Sequence, residues 1–523
     1  MDQKVVEAAR AAFSASGRGV VLGACVHEGA AHPEPVIAIP LAMMNRHGLI
    51  AGATGTGKTK TLQLIAEQLS GAGVPVFLAD VKGDMSGIAA AGEGGTRVTQ
   101  RAAETGHQWH PTAFPVEFLS LTGAHGAQLR ATVSSFGPLL LAKVLGLNET
   151  QTSVLALVFK YCDDKGLLLL DLSDLRAVLQ HLAGEGASEL AEYGGMSKQT
   201  VGVLLREMVE LEQQGAGKFF GEPEFDLNDL LQVERDGRGL ISVLELKDTQ
   251  DRPALFSTFM MWMLARLYNT LPEAGDLEKP KLVFFFDEAH LLFEGASRDF
   301  SEQIERVVRL VRSKGVGVFF VTQSPKDIPA DILGQLGNRV QHALRAFTPD
   351  DEKALRAAAR TFPKTTFYDV EETLTTLGIG EALVTVLGPN GAPTPPFVAR
   401  MVPPASRMGP LTDDEMRQRL ASSAQVREYA TAIDRESARE LLTERAAARA
   451  AAEAEQAEVE DAEAAAPSAK TPKGATTRAR APKEAPGTFE QILKSPVARS
   501  VATAITRGLM GALLGGTTRR RRR

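Results

Sequence analysis

A mainly parallel α/β sheet covered by helices is the fold this sequence predicts, and three observations carry it. Apolar runs such as "VPVFLAD" (Val74 to Asp80) and "LVFFF" (Leu282 to Phe286) are nearly continuous, as in strands buried on both faces. A glycine-rich stretch, "GATGTGKT" from Gly52 to Thr59, falls between an apolar run and a helical stripe. An acidic pair, Asp287 and Glu288, closes the strongest of the later runs.

Taken in order, "GVVLGACV" (Gly19 to Val26) and "PVIAIPLAMM" (Pro35 to Met44) read as short strands, so residues 1–44 are expected to form a small N-terminal β lead-in. The first segment of the core spans 45–120. There Leu62, Ile65, Ala66 and Leu69 recur at helical spacing behind the glycine loop, and Val74 to Asp80 supplies the next strand. Residues 121–225 read as an inserted helical subdomain, with Asn148 and Gln151 spaced as a capping box and "SKQTVGVLLREMVELEQQ" as a further helix. The second segment of the core, 226–404, carries strands at "GLISVLEL", "KLVFFFDEAH", "VGVFFVTQS", "VQHALRAF" and "EALVTVL", with helices between. Beyond it lie an Ala/Glu-rich helix (405–465), a disordered Pro/Lys/Thr linker (466–487) and an amphipathic helix with an arginine tail (488–523). In that last helix Val497, Val501, Ala504 and Ile505 share one face, while Arg499, Thr503 and Arg507 lie elsewhere.

Composition narrows the class. The chain has 523 residues, 44% of them hydrophobic, and a formal net charge of −6, which excludes a generally basic DNA-coating protein but leaves room for a local basic channel. Two cysteines, Cys25 and Cys162, give neither a disulfide framework nor a zinc pattern, and nothing completes a metal site around His107 and His110. With no secretory signal and no apolar run of membrane-spanning length, the expectation is a cytoplasmic protein.

"GATGTGKT" fits G-x-x-x-x-G-K-[ST], the Walker A pattern. Glycines let successive backbone N–H groups turn toward phosphates, and the following helix adds positive potential at its N-terminus. Gly52, Ala53, Thr54, Gly55, Thr56, Gly57, Lys58, Thr59 and Lys60 are therefore predicted to bind a nucleotide, ATP. Lys58 is to reach the β and γ phosphates, and Thr59 to ligate Mg²⁺. Asp287, at a strand end, is the Walker B candidate for the same Mg²⁺, and Glu288 the group that orients or deprotonates the attacking water. Gln323 ends the next strand, where its amide is read as sensing the γ phosphate or positioning the water. Arg345 is the first choice for a cation at the developing charge, with Arg339 and Arg312 behind it. Asp80 and Asp84 in "ADVKGDMSG" admit two readings, an outer carboxylate shell or turn formation. The letters "DEAH" do not make this a superfamily 2 helicase, because the other motifs of that class are missing.

Together "NRHGLIAGATGTGKTKTLQLIAEQLS", "GVPVFLADVKGDMSG", "FFFDEAHLLF", "VTQSPKDIP" and "LGNRVQHALRAFTPDD" resemble the HerA/FtsK branch of P-loop ATPases, and more closely the bacterial HerA-like ATPase family that includes YjgR. The likeness extends from about Gly19 to Val402, and "SPVARSVATAITRGLMGALLGG" resembles that family's tail. It implies a RecA-like core, a homohexameric ring, and ATP hydrolysis that drives movement along double-stranded DNA. The family roles fall on Lys58, Thr59, Asp287, Glu288 and Gln323. A competing class is an ATP-dependent assembly or scaffold protein acting on a protein or membrane partner, with membrane contact through the C-terminal helix and Arg519 to Arg523.

Overall fold

The computed structural model describes residues 3–13, 18–249, 253–275, 277–293, 298–388 and 391–465. The linker and the arginine-tailed helix read from the sequence therefore lie outside the described residues. Of the chain's two compact units, Met1–Ala451 contains all the strands. In chain order the strands are β1 (Gly19–His27), β2 (Ala30–Pro40), β3 (Gly48–Ala51), β4 (Val76–Asp80), β5 (Val116–Ser120), β6 (Ala127–Gln128), β7 (Ile241–Glu245), β8 (Leu282–Phe286), β9 (Val316–Thr322), β10 (Asn338–Gln341), β11 (Glu381–Thr385) and β12 (Phe397–Met401).

They form one twelve-stranded sheet, in the order β2-β1-β12-β11-β10-β3-β9-β8-β4-β7-β5-β6. From β10 to β6 every pairing is parallel, and from β2 to β10 every pairing is antiparallel. The parallel half places many strand C-termini along one edge, where open α/β sheets bind ligands. Two N-terminal strands are present, the second at Ala30–Pro40 rather than Pro35 to Met44 because Leu41–Arg46 turns into a short 3-10 helix, and they extend the sheet by pairing β1 with β12. A helix at Gln3–Phe13, unforeseen in the sequence, buries Val5, Ala9 and Phe13.

β8 and β9 show why these apolar runs are central strands. Phe284, Phe286, Val318 and Phe320 enter one core, while Val283, Phe285, Phe319 and Val321 enter the core on the other face. With period-two alternation, a strand covered on both sides has no face left for polar residues. The first core continues into helices at Val133–Val144, Glu149–Lys165, Leu172–Ala183 and Lys198–Gln213, the region read as helical. The capping box is as predicted: Gln151 N–H donates to Asn148 Oδ1 at 3.0 Å, and Asn148 N–H to Gln151 Oε1 at 2.9 Å.

Two expectations need correction. The strand read over "VQHALRAF" ends at Gln341, so Arg345 lies beyond it. The chain leaves the ladder there because Ala343 O accepts from Ala53 N–H and Leu344 N–H donates to Leu374 O. The single Ala/Glu-rich helix is three, at Asp413–Ser422, Ala424–Glu428 and Ala438–Ala465, the first break falling at Ser423, which caps the second helix, and the other at the loop 429–437. Among the described residues no helix is long and apolar enough to cross a membrane.

Candidate functional site

The glycine loop begins where β3 ends, and β3 is clamped from both sides. Its first residue, Gly48, lies against the Phe319 ring so closely that a Cβ would stand 2.2 Å from the ring. His47, just before it, is buried and left-handed (φ 57°), and its Nδ1 accepts from Val318 N–H at 3.0 Å. Burial pushes the His47 imidazole down to about 4, so it stays neutral and keeps this acceptor. Asn338 Nδ2 donates to Met43 O and His47 O, fixing the same turn from β10. The histidine just before β3 thus pins the loop's base.

Between β3 and the helix Lys58–Gly71, the loop turns on Gly52, Gly55 and Gly57, with φ of 153°, 77° and 118°. These are values side chains rarely tolerate. No side chain caps this helix, so its first N–H groups are left for an anion. Lys58 Nζ folds back and donates to Gly52 O at 2.7 Å and Ala53 O at 3.2 Å. Burial lowers the Lys58 pKa, while the charges of Glu288 and Asp287 oppose that fall.

Across the edge, β9 separates β3 from β8. Asp287 follows β8 directly and is 2% exposed, and its Oδ2 finds no hydrogen-bond partner among the described residues. Burial drives its carboxyl up to about 7. Glu288 adopts a left-handed conformation (φ 47°) that turns it away from the strand. Its Oε1 pairs with Lys82, and its Oε2 lies 3.3 Å from His290 Nδ1. Burial pushes Glu288 upward, but Lys82, His290 and Lys58 outweigh that and hold it below the ordinary carboxylate value.

Gln323 follows β9, and Ala51 of β3 is level with Thr322 of β9, so the glycine loop and Gln323 start side by side. Both line a cavity of about 710 Å³, along with His290 and Arg345. Arg345 therefore faces the loop of its own chain. Arg339 does not: its guanidinium is spent on Leu336 O, Leu333 O and Thr361 O. Arg312 precedes β9, at the sheet edge opposite Gln323. Neither backup arginine joins the constellation.

Asp80 performs the turn-forming role, accepting from Gly83 N–H and Met85 N–H at 2.8 Å each. It also stands with Asp84 and Asp287 in a group whose carboxylate oxygens lie within 4.8 Å of one another. No such group among the described residues includes His107 or His110, and both cysteines are free and buried.

The model of the helicase HerA-like C-terminal family matches residues 26–523. The chain belongs to that family. This HerA-like chain is 33% identical over 120 residues to a probable helicase of Methanocaldococcus jannaschii, a match covering 23% of the chain and 22% of that relative. It is 22% identical over 363 residues to the DNA double-strand break repair helicase HerA of Sulfolobus acidocaldarius, covering 66% and 64% respectively. The chain thus spans less than two thirds of the length of either relative. Among solved structures it is similar to the bacterial conjugative coupling protein TrwB, at 14% identity and TM-score 0.49, covering 77% of this chain and 94% of that one. It is also similar to VirB4 of Thermoanaerobacter pseudethanolicus, at 14% identity and TM-score 0.47, covering 74% and 96%.

The HerA-like site has members that reading the sequence for carboxylates missed. Lys82 lies inside "ADVKGDMSG", yet its partnership with Glu288 depends on β4 lying beside β8. Glu245 ends β7, level with Asp80 on β4, 4% exposed and with its Oε1 unpartnered among the described residues. The rule that singled out Asp287, an acid ending an apolar strand, also fits "ISVLE". His342 backs the loop: its Nε2 lies 2.9 Å from Thr61 Oγ1, and a Cβ on Gly52 would meet its own Cβ at 2.5 Å.

Proposed function

We propose that this chain is a Mg²⁺-dependent ATPase that assembles as a homohexameric ring in the cytoplasm and moves along duplex DNA. The observation that supports it is the convergence of the glycine loop, Gln323 and the Asp287–Glu288 pair on the C-terminal edge of three adjacent strands. The backbone of Gly52 to Lys60 would cradle the phosphates, with Lys58 exchanging its loop carbonyls for phosphate oxygens. Thr59 and the unpartnered Asp287 offer the hard oxygen donors Mg²⁺ takes and would hold it. When bound, the ion neutralises charge on the phosphate oxygens. Glu288, kept ionised by Lys82, orients and deprotonates the water. Gln323 contacts the terminal phosphate, and Arg345, in the same cavity, meets the charge that develops there.

The test is ATP turnover with and without duplex DNA, together with the particle mass in ATP. Duplex should raise turnover, and the stimulation should fade steeply with salt as phosphate contacts are lost. Turnover unchanged by DNA would discard the motor and leave an ATPase acting on a protein or membrane partner. A monomeric mass in ATP would discard the ring.

A further inference from the structure

Acids gather again beyond Asp287, on the side of the sheet away from the glycine loop. Asp80 ends β4 and Glu245 ends β7, directly level with it on the neighbouring parallel strand, so both side chains leave the sheet on one face. Asp84 lies in the turn that Asp80 forms, and Asp248 follows Glu245 by three residues. One carboxylate oxygen each from Asp80, Asp84 and Asp287 lie within 4.8 Å of one another. Ligand oxygens on one hard divalent cation, each about 2.0 to 2.6 Å from it, are at most about 5 Å apart. The spacing fits a shared ion. Glu245 faces the same turn: its Oε2 would lie 3.6 Å from a Cβ on Gly83, whose N–H donates to Asp80. The charges that act on it are those of Asp80, Lys247, Asp248 and Asp84.

A shortage of donors singles this group out. Glu67 shows how the fold satisfies a buried carboxylate: 3% exposed, it accepts from Ala405 N–H, Ser406 N–H and Ser406 Oγ–H. Gln63 Nε2, on the same helix, donates to Ser406 Oγ and Arg407 O, so the two side chains hold residues 405–407. Glu245, 4% exposed, has no such company, and its Oε1 is buried without a hydrogen-bond partner among the described residues. The same holds for Asp84 Oδ1, Asp248 Oδ1 and Asp287 Oδ2. Among the described residues no lysine or arginine forms an ion pair with Asp80, Asp84, Glu245 or Asp248. Lys82 pairs with Glu288, Lys58 holds the loop carbonyls, and Lys60 Nζ lies 3.5 Å from Gln63 Oε1. Carboxylates so crowded and so poor in donors call for positive charge from outside the chain. With neither histidine nor cysteine among them, they suit a hard cation such as Mg²⁺, Mn²⁺ or Ca²⁺ rather than zinc.

We propose that Asp80, Asp84 and Glu245 hold a hard divalent cation at the ends of β4 and β7, separate from the ion that accompanies ATP, and that they hold it without nucleotide. Asp287 lies between the two positions, on β8. An ion there ties the turn that carries Lys82 to β7. The proposal goes beyond the ATPase reading and does not depend on it, because Thr59 and the glycine loop take no part. In the test, full-length protein stripped with chelator and free of nucleotide is titrated with Mn²⁺, and binding is followed by loss of the free ion's paramagnetic resonance signal. One Mn²⁺ should bind with a Kd of about 100 μM or tighter, and excess Mg²⁺ or Ca²⁺ should displace it. Asp84→Asn and Glu245→Gln should each weaken binding at least about tenfold. In chelator both should melt no lower than wild type, since each replaces a carboxylate that has an unpartnered oxygen. Thr59→Ala should bind Mn²⁺ as wild type does. No binding at about 1 mM Mn²⁺ would overturn the site. Binding lost in Thr59→Ala would assign the ion to the nucleotide's own position, and binding untouched by Glu245→Gln would put it away from β7; either result refutes the proposal. A variant that melts lower in chelator would show that its carboxylate serves the ion-free fold, which overturns it likewise.

Discussion

Replacing Glu288 with glutamine separates chemistry from structure, because the two effects differ widely in size. Glutamine keeps the shape and left-handed backbone of Glu288 but cannot take a proton. It also dissolves the pair with Lys82, whose side chain is 43% exposed. Glu288 itself is only 7% exposed, but Lys82 reaches water and is rehydrated when the pair is broken, so the change costs about 1 kcal/mol and the melting temperature should move by no more than about 3 °C. Loss of a positioned general base costs about a hundred- to ten-thousandfold in rate, or roughly 3 to 5 kcal/mol in the barrier. Glu288→Gln should therefore melt almost as wild type and bind ATP within about threefold of it. Its single-turnover phosphate release should slow by at least about a hundredfold. Release within about tenfold of wild type would refute the assignment of Glu288. A large fall in melting temperature would show instead that the Lys82 pair holds the fold.

Lys58→Ala should abolish tight nucleotide binding in a calorimetric titration with ATP, since no other described lysine reaches Gly52 O and Ala53 O; retained affinity would move the cradle elsewhere. Gly48→Ala should destabilise by about 1 to 3 kcal/mol, because the added methyl collides with a Phe319 ring already packed on Phe285. Adding Phe319→Leu should recover some of that loss in a thermal melt. Glu245 is pushed by burial, and then by Asp80, up to about 8 from 4.5. The folded chain keeps a proton that the unfolded chain gives up, so this contribution is whole below pH 4.5 and is lost as the pH climbs through 8. The loss is on the order of 5 kcal/mol. Glu245→Gln, measured in chelator, should raise the melting temperature at about pH 9 and leave it nearly unchanged at about pH 4. Equal shifts at both would show that Glu245 is not held protonated.

Legibility in the sequence followed burial. β4, β7, β8 and β9 are buried at every residue, and each announced itself as an apolar run with no polar face to interrupt it. β5 escaped notice because Glu117 breaks its run and Pro115 precedes it, and β12 because prolines bracket a run of only six residues. Both are strands by virtue of their neighbours, β7 for one and β1 and β11 for the other, a tertiary cause that local pattern cannot report. Among candidate site residues, those fixed by adjacency in sequence, the glycine loop and the acidic pair, were readable. Those fixed by adjacency in the sheet were not: Lys82 meets Glu288, and Arg339 turns to its carbonyls, only once the strands are ordered.

The hold of Glu67 and Gln63 on residues 405–407 bears on how short this protein can be made. The sheet is complete at Met401, so Pro404 invites a cut. Truncation there would strand Glu67, 3% exposed, without the two amides and the hydroxyl it accepts from, and would leave Ser86 without the Leu411 amide. A bare buried carboxylate is costly. The smallest self-sufficient unit therefore runs past Leu411, and shorter versions would fail through the helix that carries Lys58 rather than through any loss of strands.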